Sequence, residues 1–168
     1  MELDNIVRFM SAETIQPWYE TIPMPALLRH ARTTYGGAMR DALAAGGYDD
    51  VPRNGLYVIG GLALGAGDVP LSELIRDLRV SKQSAGQLVD ALVVRGYLER
   101  GADPDDRRKL TVRLTARGQA AAEVQAAARA RIDAELETRI GASAVVEVRR
   151  ALAALIGIGG LNQDDEGE

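Results

Sequence analysis

The segment "LSELIRDLRVSKQSAGQLVDALVVRGYLER", residues 71–100, carries the clearest structural pattern in the sequence. Its first eight residues repeat leucine and isoleucine at helical spacing, which predicts a short helix. After the brief break "RVS", Ser81 is the expected N-cap of a second helix, and Gly96 is expected to end it. The apolar stripe of this second helix consists of Ala85, Leu88, Val89 and Leu92. Two short helices joined by a tight turn are typical of a helix-turn-helix.

The side of the second helix that faces away from this stripe is polar. It carries Lys82, Gln83, Ser84, Gln87 and Asp90. Lysine, glutamine and serine side chains form hydrogen bonds with base edges and phosphates in the major groove of DNA. Gly86 lies among them and allows close approach of a backbone or a sugar. The pattern favours a recognition helix over residues 82–95, although many helical hairpins look similar.

A β-hairpin with a charged tip is expected after the second helix. The segments "YLER" and "KLTVRLT" read as its strands, and residues 103–109 between them hold three acids followed by three cations. A cationic wing tip fits the narrow, electronegative minor groove, which gives Arg107, Arg108 and Lys109 a role in DNA contact. Asp106 is expected to hold a neighbouring arginine by a charge-assisted hydrogen bond. The alternative is a solvated turn of mixed charge.

Charge is unevenly distributed along the chain. The 168 residues carry a net charge of −4, but residues 76–117 hold ten Lys or Arg against six Asp or Glu, a net of +4. The remaining residues hold ten Lys or Arg against eighteen Asp or Glu, a net charge of −8. A basic segment within an acidic protein favours contact between one face and an anionic partner, the alternative being chance clustering of solvated charges.

The composition argues against several classes of protein. Without cysteine there is no disulfide framework and no thiolate metal site, and the one histidine, His30, rules out a multi-histidine zinc site. Neither G-x-G-x-x-G nor G-x-x-x-x-G-K-[ST] occurs, and a Ser-His-Asp triad would have to use His30, so no enzyme is expected. The chain shows neither a signal peptide nor an apolar run of roughly 18 residues, so we expect a cytoplasmic protein.

Helices are predicted on the N-terminal side of the helix-turn-helix. One begins near Ala26 and is stopped by Gly46 and Gly47. Asn54 is the expected N-cap of another, "GLYVIGGLALG", which the loop "AGDVP" follows. Each of these helices contains a glycine pair, Gly36-Gly37 in the first and Gly60-Gly61 in the second. Such pairs either leave room for a ligand or permit close helix packing, and we favour packing.

Two further helices are predicted on the C-terminal side. The first runs from Ala116 to about Ile140, with a stripe of apolar residues at every fourth position, namely Ala120, Val124, Ala128, Ile132, Leu136 and Ile140. The second runs from Ala144 to about Ile156, capped by Ser143, and is followed by an acidic tail. In the strand before them, the alternating residues Leu110, Val112 and Leu114 are expected to anchor the hairpin to the core.

Residues 71–118 resemble the DNA-binding core of the MarR family of winged-helix regulators. The motifs that carry this resemblance are "RGYLER", the wing sequence Asp106-Arg107-Arg108 and "VRLTARG". The resemblance implies a mainly α fold with a small β-hairpin wing, between long N- and C-terminal dimerisation helices. The implied division is 1–53 for the N-terminal segment and first dimerisation and pocket helix, 54–115 for the DNA-binding lobe, 116–158 for the C-terminal dimerisation helices and 159–168 for a flexible acidic tail.

The same resemblance implies the roles of individual residues and the partners. Residues Ser81 to Gln87 would read the major groove, Arg108 would enter the minor groove, and Arg107 and Lys109 would contact phosphates. A homodimer would place two recognition helices about 34 Å apart on a pseudo-palindromic operator in double-stranded DNA. Repression would be the usual outcome, and the alternative is a winged-helix module that only associates with proteins.

A small aromatic or phenolic effector is the further ligand that the resemblance implies, and no cofactor is expected. It would bind between the dimerisation helices and the DNA-binding lobe. The candidate pocket residues are Trp18, His30, Arg32, Tyr35 and Tyr57.

Overall fold

The computed structural model describes residues 17–65, 68–77, 81–102 and 110–161. A single 3₁₀ turn, Trp18–Glu20, precedes the helices. The helices are α1 (Met24–Ala45), α2 (Gly55–Leu64), α3 (Leu71–Asp77), α4 (Lys82–Val94), α5 (Ala116–Ile140) and α6 (Ala142–Leu161). The strands are β1 (Val69–Pro70), β2 (Leu98–Ala102) and β3 (Leu110–Leu114). The two helices of the predicted helix-turn-helix, the two strands of the hairpin and the flanking helices are therefore present, in a mainly helical fold, while the turn at 78–80 and the hairpin tip at 103–109 lie outside the described residues.

The three strands form an antiparallel sheet in the order β1-β3-β2. Strand β1 lies at the edge, with Val69 opposite Val112, so the prediction of a loop over "AGDVP" is wrong at its last two residues. An edge strand tolerates Pro70 because its missing N–H need not face a neighbour. Two residues are also too few to show the alternation by which a strand is recognised in a sequence.

The glycines predicted to end the first long helix do so, whereas the N-cap predicted at Asn54 does not form. Helix α1 ends at Ala45 and Gly47 takes a φ of +80°, a left-handed conformation that glycine adopts without strain. Asn54 precedes α2 as predicted, but its backbone is already helical and its side chain makes no capping hydrogen bond. The capping assignment of Asn54 is wrong because a side chain caps from an extended backbone.

The core lies where α1, α2, α4 and the sheet meet the first half of α5. Its fully buried side chains include Ile59, Val89, Leu92, Tyr97 and Val112. Within the hairpin, Leu110 is 50% exposed while Thr111 is only 3% exposed. The predicted anchoring role of Leu110 is therefore wrong, because β3 is paired on both sides and the Thr111 hydroxyl donates a 3.3 Å hydrogen bond to Asp68.

The buried face of α5 differs from the predicted four-spaced stripe. It consists of Gly118, Ala121, Ala122, Gln125 and Ala128. Of the predicted stripe only Ala128 is buried, and Ile140 at the far end is 43% exposed. Small residues at this face let α5 pack closely against α1 and α2.

Helix α6 begins immediately after Gly141, at Ala142. Ser143 is the second residue of the helix rather than its cap, so that prediction is wrong. The helix also continues to Leu161, beyond the predicted end near Ile156 and into the predicted tail. No helix in the described ranges is long and apolar enough to span a membrane.

Candidate nucleic-acid interface

Helix α4 is fixed at its first turn by Ser81. The Ser81 backbone is extended, and its hydroxyl oxygen accepts a 3.1 Å hydrogen bond from the backbone N–H of Ser84. The same hydroxyl donates to the Ser84 hydroxyl at 2.8 Å. The predicted cap is confirmed, and it engages two of the side chains that were predicted to read DNA.

The two sides of α4 differ as the sequence pattern predicts. Ala85, Val89 and Leu92 are fully buried against the lobe. The opposite side is exposed and polar, and it presents Lys82, Gln83, Ser84, Gln87 and Asp90. A methyl group at Gly86 would meet no atom within 4 Å, so this face is open along its middle.

An ion pair joins α4 to the hairpin. The Arg100 guanidinium on β2 donates a hydrogen bond to the Asp90 carboxylate on α4. Arg113 on β3 likewise donates a 2.7 Å hydrogen bond to Glu99 on β2. No local sequence pattern predicts this ion pair, because Asp90 and Arg100 come together only when the hairpin folds back beside α4.

The predicted wing residues Asp106, Arg107, Arg108 and Lys109 lie outside the described residues. What the structure describes is the base of the wing, where Ala102 pairs with Leu110. The hairpin therefore has the strand pairing that a wing requires, directly next to α4.

Behind α4, a polar cluster ties the lobe to the first turn of α5. The buried Tyr97 hydroxyl donates a hydrogen bond to the Asp50 carboxylate. Arg117 donates to the same carboxylate at 3.0 Å and to the Arg95 carbonyl oxygen at 2.8 Å. Burial, and then the hydrogen bond to Asp50, raise the pKa of Tyr97 to about 12. The Tyr97 hydrogen bond in turn holds the pKa of Asp50 below its usual value.

The structure brings two of the five predicted pocket residues into direct contact. The Arg32 guanidinium stacks over the Tyr57 ring, 4.4 Å from its centroid. Tyr35 donates a 2.5 Å hydrogen bond to Asp133 on α5 instead. Trp18 packs edge-on against Tyr19, and it is 40% exposed. His30 is partly buried on α1.

A cavity of about 410 Å³ lies between α1 and α5, away from those side chains. It is lined by Ala38, Asp41, Ala42, Ala45, Ala128, Arg131 and Ile132. Its volume falls in the range of small-molecule sites, and its walls are mostly apolar. In the part of the chain that the structure describes, no cluster of three or more His, Asp or Glu side chains is arranged to hold a metal ion.

One glycine of each pair is placed for close packing. A methyl group at Gly36 would lie 3.1 Å from the Tyr57 hydroxyl, and one at Gly60 would lie 3.1 Å from both Arg129 and the Gln125 side-chain oxygen. Their neighbours Gly37 and Gly61 have no such contact. Gln125 itself is fully buried, and neither atom of its amide has a hydrogen-bond partner among the residues that the structure describes.

These features define a winged helix-turn-helix protein, and comparisons with known proteins agree. A model of the MarR family matches residues 49–109. A comparison with curated proteins found no match. The apo form of wild-type MarR from E. coli is 23% identical, with 80% of this chain and 96% of that chain covered at a TM-score of 0.60.

Two further solved structures share the fold. FabT from Streptococcus pneumoniae, in complex with DNA, is 16% identical, with 81% of this chain and 96% of that chain covered at a TM-score of 0.65. A probable transcriptional regulator from Pseudomonas aeruginosa is 25% identical, with 79% of this chain and 96% of that chain covered at a TM-score of 0.58. The match over residues 49–109 and these solved structures show that the chain has the winged-helix fold of MarR-family regulators.

Proposed function

We propose that this protein is a dimeric, sequence-specific DNA-binding repressor that a small molecule releases from its operator. The observation that carries the proposal is the exposed polar face of α4. Its side chains stand on a helix whose first turn is capped by Ser81 and whose other side is buried in the lobe. A helix held in this way keeps its orientation when it enters a groove, as base readout requires.

DNA contact is divided between α4 and the wing. Lys82, Gln83 and Gln87 are free to reach base edges or phosphates in the major groove. Ser81 and Ser84 organise the helix start, where backbone N–H groups also favour a phosphate. In the wing, Arg108 enters the minor groove, Arg107 and Lys109 contact phosphates, and Asp106 orients an arginine. The relative whose solved structure contains DNA has the same fold.

Dimerisation involves the helices on either side of the lobe. Helix α6 exposes apolar side chains that a soluble monomer would bury, among them Val146, Leu152, Leu155, Ile156 and Ile158. Met24, at the start of α1, is 61% exposed. A two-fold axis through these helices leaves residues 54–115 of each copy as the DNA-binding lobe and presents two α4 helices to one operator.

Release by a small molecule is supported by the cavity between α1 and α5. It lies beside the helices that join the lobe to the dimerisation region, so an occupant would alter their packing. An aromatic or phenolic molecule suits its alanine-rich walls, with Arg131 and Asp41 available for polar groups.

Selection of bound sequences from random DNA duplexes tests the proposal. The expected product is a pair of inverted half-sites centred about 10 base pairs apart. The double variant Lys82→Ala/Gln87→Ala should lose this enrichment, and Arg139→Ala, which removes a cation from the far end of α5, should keep it. No enrichment, together with no duplex binding at low salt, would leave a winged-helix protein-association module as the better description.

A further inference from the structure

Helices α5 and α6 are joined by one residue. Helix α5 ends at Ile140 and α6 begins at Ala142, with Gly141 between them at a φ of +84° and a ψ of 153°. There is no loop to absorb or restrict movement, so the angle between the two helices depends on the dihedral angles of a single glycine. Glycine is the residue least able to restrict those angles by itself. The orientation of α6 therefore depends on contacts made along its length.

A carboxylate on α5 makes such a contact. Arg149 on α6 donates a 3.1 Å hydrogen bond to one oxygen of Asp133, eight residues before the glycine. Tyr35 on α1 donates a 2.5 Å hydrogen bond to the other oxygen. Asp133 thus connects three helices, and each of its oxygens is held by a different neighbour. Burial, and then the bond to Asp133, raise the pKa of Tyr35 to about 12, so its hydroxyl remains a donor at neutral pH.

The arrangement favours a role in orientation over a role in stability. The side chains of Arg149 and Asp133 are 68% and 41% exposed, and an ion pair so open to water contributes little to folding. Two hydrogen bonds from different helices nevertheless fix the direction of the carboxylate. The hydrogen bond from Tyr35 on α1 fixes the Asp133 carboxylate, and the hydrogen bond from Arg149 connects that carboxylate to α6.

We propose that Asp133 is a positioning residue that, through Arg149 and Tyr35, sets the angle of α6 and thereby the separation of the two recognition helices in the dimer. This rests on the proposed function, in which α6 carries the dimer contacts. A change in the angle of α6 moves the partner copy as a rigid body, and its DNA-binding lobe moves with it. The spacing between half-sites that the dimer accepts is then set by three side chains remote from the DNA.

The chain offers a matched control on the same helix. Arg150 is adjacent to Arg149 and carries the same charge, but it pairs with Glu147 within α6. Arg150→Ala therefore removes an arginine and an ion pair from α6 without touching its connection to α5. Arg149→Lys retains a cation that can reach Asp133, and Tyr35→Phe removes only the hydroxyl.

The test is a distance between the two lobes of the full-length protein. Because the chain contains no cysteine, Leu64→Cys, at the exposed end of α2, introduces one spin-labelling site per copy. Double electron–electron resonance then gives the distribution of label–label distances, in this background and with each further substitution. We expect Arg149→Ala and Tyr35→Phe to shift the mean by about 2 Å or more, or to broaden the distribution clearly. Arg149→Lys and Arg150→Ala should leave it unchanged.

The outcomes separate this inference from the function on which it rests. A dimer whose distances are the same in all variants would overturn the role of Asp133 and leave the proposed function intact. A protein that gives no label–label distance before Asp133, Arg149 or Tyr35 is changed would overturn the proposed dimer, and this inference with it. If Arg149→Ala alone prevents dimer formation, Tyr35→Phe decides, because it leaves the ring and Arg149 in place.

Discussion

The Arg117 guanidinium lies over the ring of Tyr97, 4.5 Å from the ring centroid. Arg117 belongs to the first turn of α5, whereas Tyr97 follows α4, and both side chains bind the Asp50 carboxylate. This contact connects the long helix to the C-terminal end of α4. It provides a direct physical link between the proposed dimerisation region and the proposed DNA-reading element.

The closest backbone approach at this junction is made possible by Gly118. A methyl group at Gly118 would lie 2.1 Å from the Tyr97 carbonyl oxygen, which is backbone and cannot move aside easily. We expect Gly118→Ala to lower the free energy of unfolding by about 3 kcal/mol or more, measured by urea denaturation. Gly61→Ala is the control, since nothing lies within 4 Å there and alanine favours a helix. Equal effects of the two substitutions would contradict the predicted clash.

Alkaline pH should weaken the fold through Tyr97 and Tyr35, whose pKa values are raised to about 12. Their hydroxyls are protonated in the folded protein but ionise near pH 10 in the unfolded chain. The stability contribution of each tyrosine is thus present below pH 10 and is lost as the pH rises from 10 to 12, by at most about 1.4 kcal/mol per pH unit. Urea denaturation of Tyr97→Phe should show about half the wild-type slope in this range. A slope equal to that of the wild type would be inconsistent with the raised pKa of Tyr97.

Gln125 is a polar residue at a fully buried position, where an apolar side chain would be more favourable. Its amide is fully buried and makes no hydrogen bond in the described structure, which is energetically unfavourable. Gln125→Met keeps the shape of the side chain and should raise the free energy of unfolding by about 1 kcal/mol. Gln119→Met, at an exposed position of the same helix, should have little effect. Destabilisation by Gln125→Met would mean that the amide has partners that stabilise it.

The capping hydrogen bond of Ser81 should contribute more to stability than the Ser143 side chain at the start of α6. Ser81→Ala removes the acceptor for the Ser84 N–H and is expected to cost about 1 kcal/mol of stability. Ser143→Ala lies inside its helix and should cost much less. Thermal unfolding of the two variants side by side measures the difference, and similar losses would contradict the capping role.

The elements that sequence patterns predict well are those with local signals. The spacing of Ala85, Val89 and Leu92 gave the buried side of α4, and Ser81 and Gly96 gave its ends. Predictions failed where tertiary contacts decide the outcome. Thr111, for example, is buried because β3 is the central strand. The Ser143 cap failed for a local reason instead, since α6 begins directly after Gly141.

The same distinction applies to the functional residues. The exposed polar face of α4 was predicted because it is the complement of an apolar stripe within one helix. The pairing of Tyr35 with Asp133 joins residues 98 positions apart, and that of Asp90 with Arg100 depends on how the hairpin folds back. No local pattern encodes such a pairing, so the contact between Tyr35 and Asp133 and the ion pair between α4 and the hairpin appear only in the folded chain.

The central claim is that α4 binds DNA, and the salt dependence of duplex binding by a Lys82 variant tests it most directly. With the selected operator, the logarithm of the wild-type association constant should fall linearly with the logarithm of salt concentration. Lys82→Ala should weaken binding and reduce that slope by about 1, the loss of one phosphate contact. Arg139→Ala, at the exposed end of α5, should match the wild type in both respects. If Lys82→Ala and Arg139→Ala both bind as the wild type does, α4 is not the DNA-binding element.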